Sequence, residues 1–122
     1  MATVLIADDA SFMRQMIREI IEPEGYEVVS EANNGVEAVE RFEEFSPDIV
    51  TMDIVMPKQS GIDAVKDILV RYPAARIVMC SALGQETLVM ESLEAGAMDF
   101  IVKPFRPESV LGTLERILEK EV

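Results

Sequence analysis

Five short apolar runs punctuate the chain, at Val4 to Ala7, Val28-Val29, Ile49 to Met52, Ile77 to Cys80 and Phe100 to Val102. Several are rich in branched residues, the pattern of strands buried on both faces. Between them, apolar residues recur at helical spacing. Met13, Met16, Ile17, Ile20 and Ile21 form one stripe, and Ala38, Phe42 and Phe45 another. Ile62, Val65 and Leu69 repeat the spacing, as do Val110, Leu114, Ile117 and Leu118. Glu86 to Ala95 is weakly amphipathic, resting on Leu88, Val89 and Leu93, and predicts the least firmly packed helix. Gly25 and Gly96 are placed to supply left-handed caps, while Pro47, Pro73 and Pro107 fall at connections or a helix first turn. The order is five β-α units, which predicts a parallel sheet covered on both faces by right-handed crossover helices.

Composition narrows what such a domain can do. The 122 residues carry 49% apolar and 28% charged side chains, which excludes a disordered chain and fits a single domain over 1–122. Histidine is absent, removing Ser-His-Asp and Cys-His catalysis, His-ligated zinc and any histidine phosphodonor role. A net charge of -12 sets the surface against nucleic acid and anionic membranes, so neither is expected as a direct partner. Acidity with few lysines also suits a high-salt cytoplasm. Cys80, the single cysteine, lies inside an apolar run, where a buried small hydrophobe is expected. No stretch reads as a signal peptide or membrane span, which predicts a cytoplasmic protein.

In open parallel sheets the ligand site lies beyond the carboxyl ends of the strands. That rule selects Asp8 and Asp9 after the first strand, Asp53 at the end of the third, Ser81 of the fourth and Lys103 of the fifth. Three carboxylates brought together repel unless a cation neutralises them, and an all-oxygen set suits a hard ion such as Mg2+. Lys103 adds a mobile positive charge and Ser81 a hydroxyl donor, both suited to phosphoryl oxygens. Taken singly, Asp8-Asp9 reads as a turn or helix-cap pair, Ser81 as a cap, Phe100 as plain core and Gly61 as a turn residue. Asp53 inside an apolar run is harder to read as structural, because a carboxylate there must be paired or functional. The eight methionines read as core filler, and Glu43-Glu44 and Glu119 to Glu121 as solvated helix faces.

With Asp8-Asp9, Met52-Asp53-Ile54-Val55-Met56-Pro57, Ser81-Ala82 and Lys103-Pro104-Phe105 in this order, the chain resembles the response-regulator receiver domains from end to end. The stretches Asp9 to Arg14 and Cys80 to Gln85 are similar to those of stand-alone chemotaxis regulators. The resemblance implies a flavodoxin-like α/β fold, with strand order 2-1-3-4-5 and five helices. It implies Asp53 as phosphoacceptor from the histidine of a CheA-type kinase. Asp9, Asp53 and the Val55 backbone carbonyl would bind Mg2+, with Asp8 acting through a metal-bound water. Lys103 and Ser81 would contact the phosphoryl group, and Ser81 would move, admitting the ring of Phe100. The output surface would span the fourth helix, fifth strand and fifth helix, here Val89, Leu93, Phe100, Val102 and Arg106. Its target would be a flagellar motor switch protein or an archaeal motility adaptor, and a CheC-type phosphatase is a further implied partner of what would be a monomer. Apolar Val55 and Leu83, beside the path of attacking water in the family, imply slow self-dephosphorylation.

Rival readings fail on particular residues. A haloacid-dehalogenase-type phosphatase needs an acid two residues after its nucleophile, where this chain has Val55. A flavodoxin-like electron carrier needs a hydroxyl-rich first loop, where Asp8-Asp9 stand. A phosphorylation-independent scaffold would not need the complete acidic, hydroxyl and lysine set. Against a receiver from a DNA-binding or other non-chemotaxis regulator, the last helix, Leu111 to Lys120, is followed by no linker, which predicts a stand-alone module.

Overall fold

The computed structural model describes residues 2–119, so Lys120 and Glu121 of the predicted last helix and acidic cluster lie outside the described residues. Five strands, β1 (Thr3–Ala7), β2 (Glu27–Ala32), β3 (Ile49–Asp53), β4 (Ile77–Ser81) and β5 (Asp99–Val102), alternate with five helices. These are α1 (Ser11–Ile21), α2 (Gly35–Phe45), α3 (Gly61–Arg71), α4 (Glu86–Ala95) and α5 (Pro107–Glu119), with a short 3-10 turn at Glu22–Glu24 after α1. All pairings are parallel and the sheet order is β2-β1-β3-β4-β5. This is the flavodoxin-like arrangement with order 2-1-3-4-5.

Strand alternation splits the core into two layers. Val4, Ile6, Ile49, Val78 and Cys80 face α1 and α5, meeting Ile17, Ile21, Val110, Leu114 and Ile117. Leu5, Ala7, Val50, Met52, Ile77 and Met79 face α2, α3 and α4. Gly25 and Gly96 take φ of 96° and 118°, as a left-handed cap requires. Cys80 is buried, and burial drives its thiol pKa far above the ordinary value, so it packs as a hydrophobe.

Several expectations need correction. Only β3 and β4 are buried throughout; β2 and β5 are edge strands, each with one partner, and keep much of their surface open. The pairing of β2 shifts by one residue between Val4 and Leu5 of β1, so Leu5 faces Ser30 and the strand runs on to Ala32, well past its short apolar run. In α4, of the three predicted apolar residues Val89 is buried while Leu88 and Leu93 are only partly so, and Ser92 is buried with it, its Oγ donating to the Leu88 carbonyl at 2.7 Å and so satisfied inside the core. Met90 is exposed and does not fill the core. Of the predicted solvated acids, Glu43 pairs with Arg71 and Glu44 with Arg41.

At the sheet centre the fully buried hydroxyl of Thr51 lacks a hydrogen-bond partner among the described residues. Its desolvation opposes folding, so Thr51→Val, which keeps the shape, is expected to raise stability by about 1 kcal/mol. Chemical denaturation measures this, and an unchanged or lower midpoint would refute it.

Candidate functional site

Each predicted polar residue arrives at the same edge because its strand stops there. Asp53 and Ser81 are the last residues of β3 and β4, while Asp8 and Lys103 directly follow β1 and β5. Asp8 is held on three sides. Its backbone N–H donates to the Ala32 carbonyl at 3.0 Å, its Oδ1 accepts from the Ala10 N–H at 2.9 Å, and its Oδ2 accepts from Lys103 Nζ at 3.1 Å. The helix-cap reading of this pair is therefore partly met by Asp8, although α1 itself has Ala10 at its N-cap position and no side-chain cap.

Lys103 Nζ also donates to Asp53 Oδ1 at 3.2 Å, so one ammonium bridges two carboxylates from strands 45 residues apart in the chain. Asp9 completes the group: carboxylate oxygens of Asp8, Asp9 and Asp53 all lie within 4.8 Å of one another. Asp8 and Asp53 are buried and Asp9 is exposed. Three negative charges against one positive leave the cluster short of cation. Burial, then the neighbouring Asp8 charge, pushes the Asp53 carboxyl up to about 6, and Lys103 offsets only part of this. Burial alone would lower the Lys103 pKa, but Asp53 and Asp8 outweigh it and hold the ammonium charged. The two responses differ because Lys103 faces two opposite charges, whereas Asp53 faces one opposite and two like charges. Such an all-oxygen cluster, with an open side at Asp9, fits a hard divalent cation that keeps some of its water.

Ser81 is brought alongside through the backbone, its carbonyl accepting from the Lys103 N–H at 2.7 Å. Val55 lies in the β3-α3 connection with its side chain 56% exposed. That connection is pinned at both ends. The Gly61 N–H donates to the Ile54 carbonyl at 2.8 Å, and the Gly35 N–H to the Gln59 carbonyl at 2.9 Å. A Cβ at Gly61 would stand 1.9 Å from the Asp53 carbonyl oxygen, so this glycine is required by close backbone approach rather than by a turn.

The expected output residues divide. Phe100 is 39% exposed rather than core, and Val102 and Arg106 are also exposed. Leu93 is half-buried, and Val89 is buried, because it is the α4 residue that seats the helix on the sheet. Ser81, Val89, Leu93, Phe100 and Val102 together line an apolar cavity of about 290 Å³ between α4 and β5. Arg106 lies instead on a more polar depression of about 580 Å³ that also touches Phe100 and Lys103.

Two residues that the sequence reading passed over hold the far side of the site. Arg14 Nη1 donates to the Asp8 backbone carbonyl at 2.5 Å and Nε to Glu31 Oε1 at 2.6 Å. Glu31 Oε2 in turn accepts from Arg18. Burial raises the Glu31 carboxyl, but Arg14 and Arg18 outweigh it and lower its pKa. The available signal was a pair of arginines four apart on α1 opposite an acid in an otherwise half-buried strand.

Residues 4–115 match the family described as the response regulator receiver domain. The chain belongs to this family. Among curated relatives of this receiver domain, the chemotaxis protein CheY of Thermotoga maritima is 56% identical over 114 residues, covering 93% of this chain and 95% of the relative. The CheY of Bacillus subtilis is 53% identical over 115 residues, covering 94% and 96%. Among solved structures, a CheX-CheY complex with BeF3 and Mg2+ from Borrelia burgdorferi superposes with a TM-score of 0.92 at 39% identity, covering 98% of this chain and 90% of that one. The receiver domain is thus closely related to CheY, a signalling domain rather than a metabolic enzyme. No helix among its described residues is long and apolar enough to cross a membrane.

Proposed function

We propose that this receiver domain is the phosphorylation-activated regulator of a chemotaxis-type two-component system. The observation that carries the reading is the buried Asp53, set among Asp8 and Asp9 and bridged by Lys103 to Asp8. A buried carboxylate whose neighbours raise its basicity, beside a fixed ammonium, is suited in its ionised form to receive an electrophilic phosphoryl group rather than to stabilise the fold. An Asp53 oxygen attacks the phosphorus carried by the histidine of a CheA-type kinase, the P–N bond breaks, and the imidazole leaves. Lys103 Nζ, already within hydrogen-bonding distance of Asp53, follows the incoming charge. Asp9, Asp53 and the Val55 carbonyl, with Asp8 through a bound water, would hold Mg2+, which would supply positive charge to the transferring phosphoryl group.

The Ser81 hydroxyl then donates to a phosphoryl oxygen. Its movement favours entry of the Phe100 ring into the apolar space that both residues line. Val102, Arg106 and Leu93 surround that event and form the surface read by a flagellar motor switch protein or an archaeal motility adaptor. A CheC-type phosphatase returns the domain to rest. The CheX partner of the Borrelia relative supports the existence of such an auxiliary protein. The domain acts as a cytoplasmic monomer.

The test is intact mass after incubation with a small-molecule phosphodonor, with and without Mg2+, for the natural chain and Asp53→Ala. One phosphoryl adduct is expected, dependent on Mg2+ and lost in the variant. Exposed Val55 and Leu83 place apolar side chains on the rim, so the adduct should outlast the first minutes. An adduct that persists in Asp53→Ala, or none from either a phosphodonor or a kinase, would overturn the reading, and decay within seconds would overturn its slow hydrolysis.

A further inference from the structure

Asp8 and Asp9 share one peptide plane, at the point where β1 has ended and α1 has not begun. Repulsion among three clustered carboxylates acts directly on that hinge, and Asp9 is exposed, with room to turn away. What resists on the carbonyl side is Arg14. Its guanidinium reaches back from the first turn of α1 to the Asp8 carbonyl, while its other edge is anchored on Glu31 at the end of β2. The side chains of Arg14 and Glu31 are 16% and 30% exposed, so the pair is partly shielded from water. Glu31 is braced again from behind by Arg18 at 2.7 Å.

We propose that Arg14, oriented by Glu31, is a positioning residue that fixes the Asp8-Asp9 peptide and thereby sets the domain's affinity for its divalent cation. The inference rests on the reading of the three carboxylates as a cation site. A planar fork holds the carboxylate at one edge and the backbone carbonyl at another in fixed directions, which a compact ammonium on a flexible stem does not, so lysine is not an equivalent. Net charge does not explain the role: Arg14 is neutralised by Glu31, and as a cation it would by itself oppose a metal.

The experiment titrates Mg2+ into the full chain carrying Arg14→Lys or Arg18→Lys, both of which keep the charge. Arg18 belongs to the same network but touches Glu31 and Glu22 rather than Asp8. Arg14→Lys is expected to bind Mg2+ about tenfold more weakly, in the range seen when outer supports of metal ligands are lost. Arg18→Lys should bind as the natural chain does, even where its melting temperature falls as far. Without metal, the Asp9 amide nitrogen shift should move in Arg14→Lys and stay in Arg18→Lys. Equal affinity in Arg14→Lys and the natural chain, or equal weakening in both variants, overturns the proposal. No Mg2+ binding by the natural chain overturns instead the cation-site reading beneath it. If Arg14→Lys does not fold, Glu31→Gln replaces it, with weaker binding expected and unchanged binding refuting.

Discussion

Metal-free protein taken from about pH 4 to above pH 6 loses folding stability on the order of 3 kcal/mol through Asp53 alone. In the folded chain this carboxyl titrates near 6 against an ordinary value of 3.8. The native state therefore holds its proton more tightly than the unfolded chain. Between the two values the unfolded state ionises freely while the folded state resists, so stability falls across that window and is level above it. The side chain is only 9% exposed, and solvent screens the effect little. Denaturation curves for the natural chain and Asp53→Asn, measured without metal across this range, should diverge, with the asparagine variant the more stable at neutral pH. Saturating Mg2+ should close the gap by favouring the ionised form. Parallel curves would show that Asp53 is not strained by its neighbours.

Gly61→Ala should be more damaging, and at one stroke to fold and site. The new methyl carbon would fall 1.9 Å from the Asp53 carbonyl oxygen, 2.9 Å from its carbon and 3.1 Å from the Ile54 Cα, all of them backbone atoms. No side chain can swing aside to relieve the overlap. Either β3 or the first turn of α3 must shift, at about 3 kcal/mol or more. Because the displaced atoms belong to Asp53, the proposed phosphoacceptor, and to the residue before Val55, Mg2+ affinity should fall together with the unfolding midpoint. Retention of either would place the contact elsewhere. Gly25→Ala is the comparison: it sits at φ 96° with nothing within 4 Å of the added carbon, and carries only the backbone strain.

The meeting of Asp8, Asp53, Ser81 and Lys103 was legible in sequence because each closes an apolar run, and a parallel sheet has only one carboxyl edge. Period and punctuation located the helices for the same reason. What escaped depends on register and on neighbours. The Arg14-Glu31 contact depends on where β2 stands against β1, and a one-residue shift in pairing is invisible in a two-residue apolar run. Taken singly, Phe100 reads as core, and only the resemblance put it on a surface; it lies on an edge strand that the sheet order alone makes an edge. Val89 and Leu93 look equivalent in a weak stripe, and the sheet takes Val89. Gly61 owes its identity to an atom eight residues earlier, across a loop that no local pattern describes.

The light seating of α4 bears on how far so small a chemical event can reach. α5 sinks Val110, Thr113, Leu114 and Ile117 into the core, and moving it would tear out a layer. α4 sinks Val89 and Ser92 and leaves an apolar space at its side. Displacing α4 would therefore break fewer buried contacts than displacing α5. A bias of a few hydrogen bonds applied at the Asp53 end of the sheet is therefore expected to shift α4 before it shifts α5. The weak stripe that predicted the least firmly packed helix thus marks the element whose displacement would break few buried contacts beside the site.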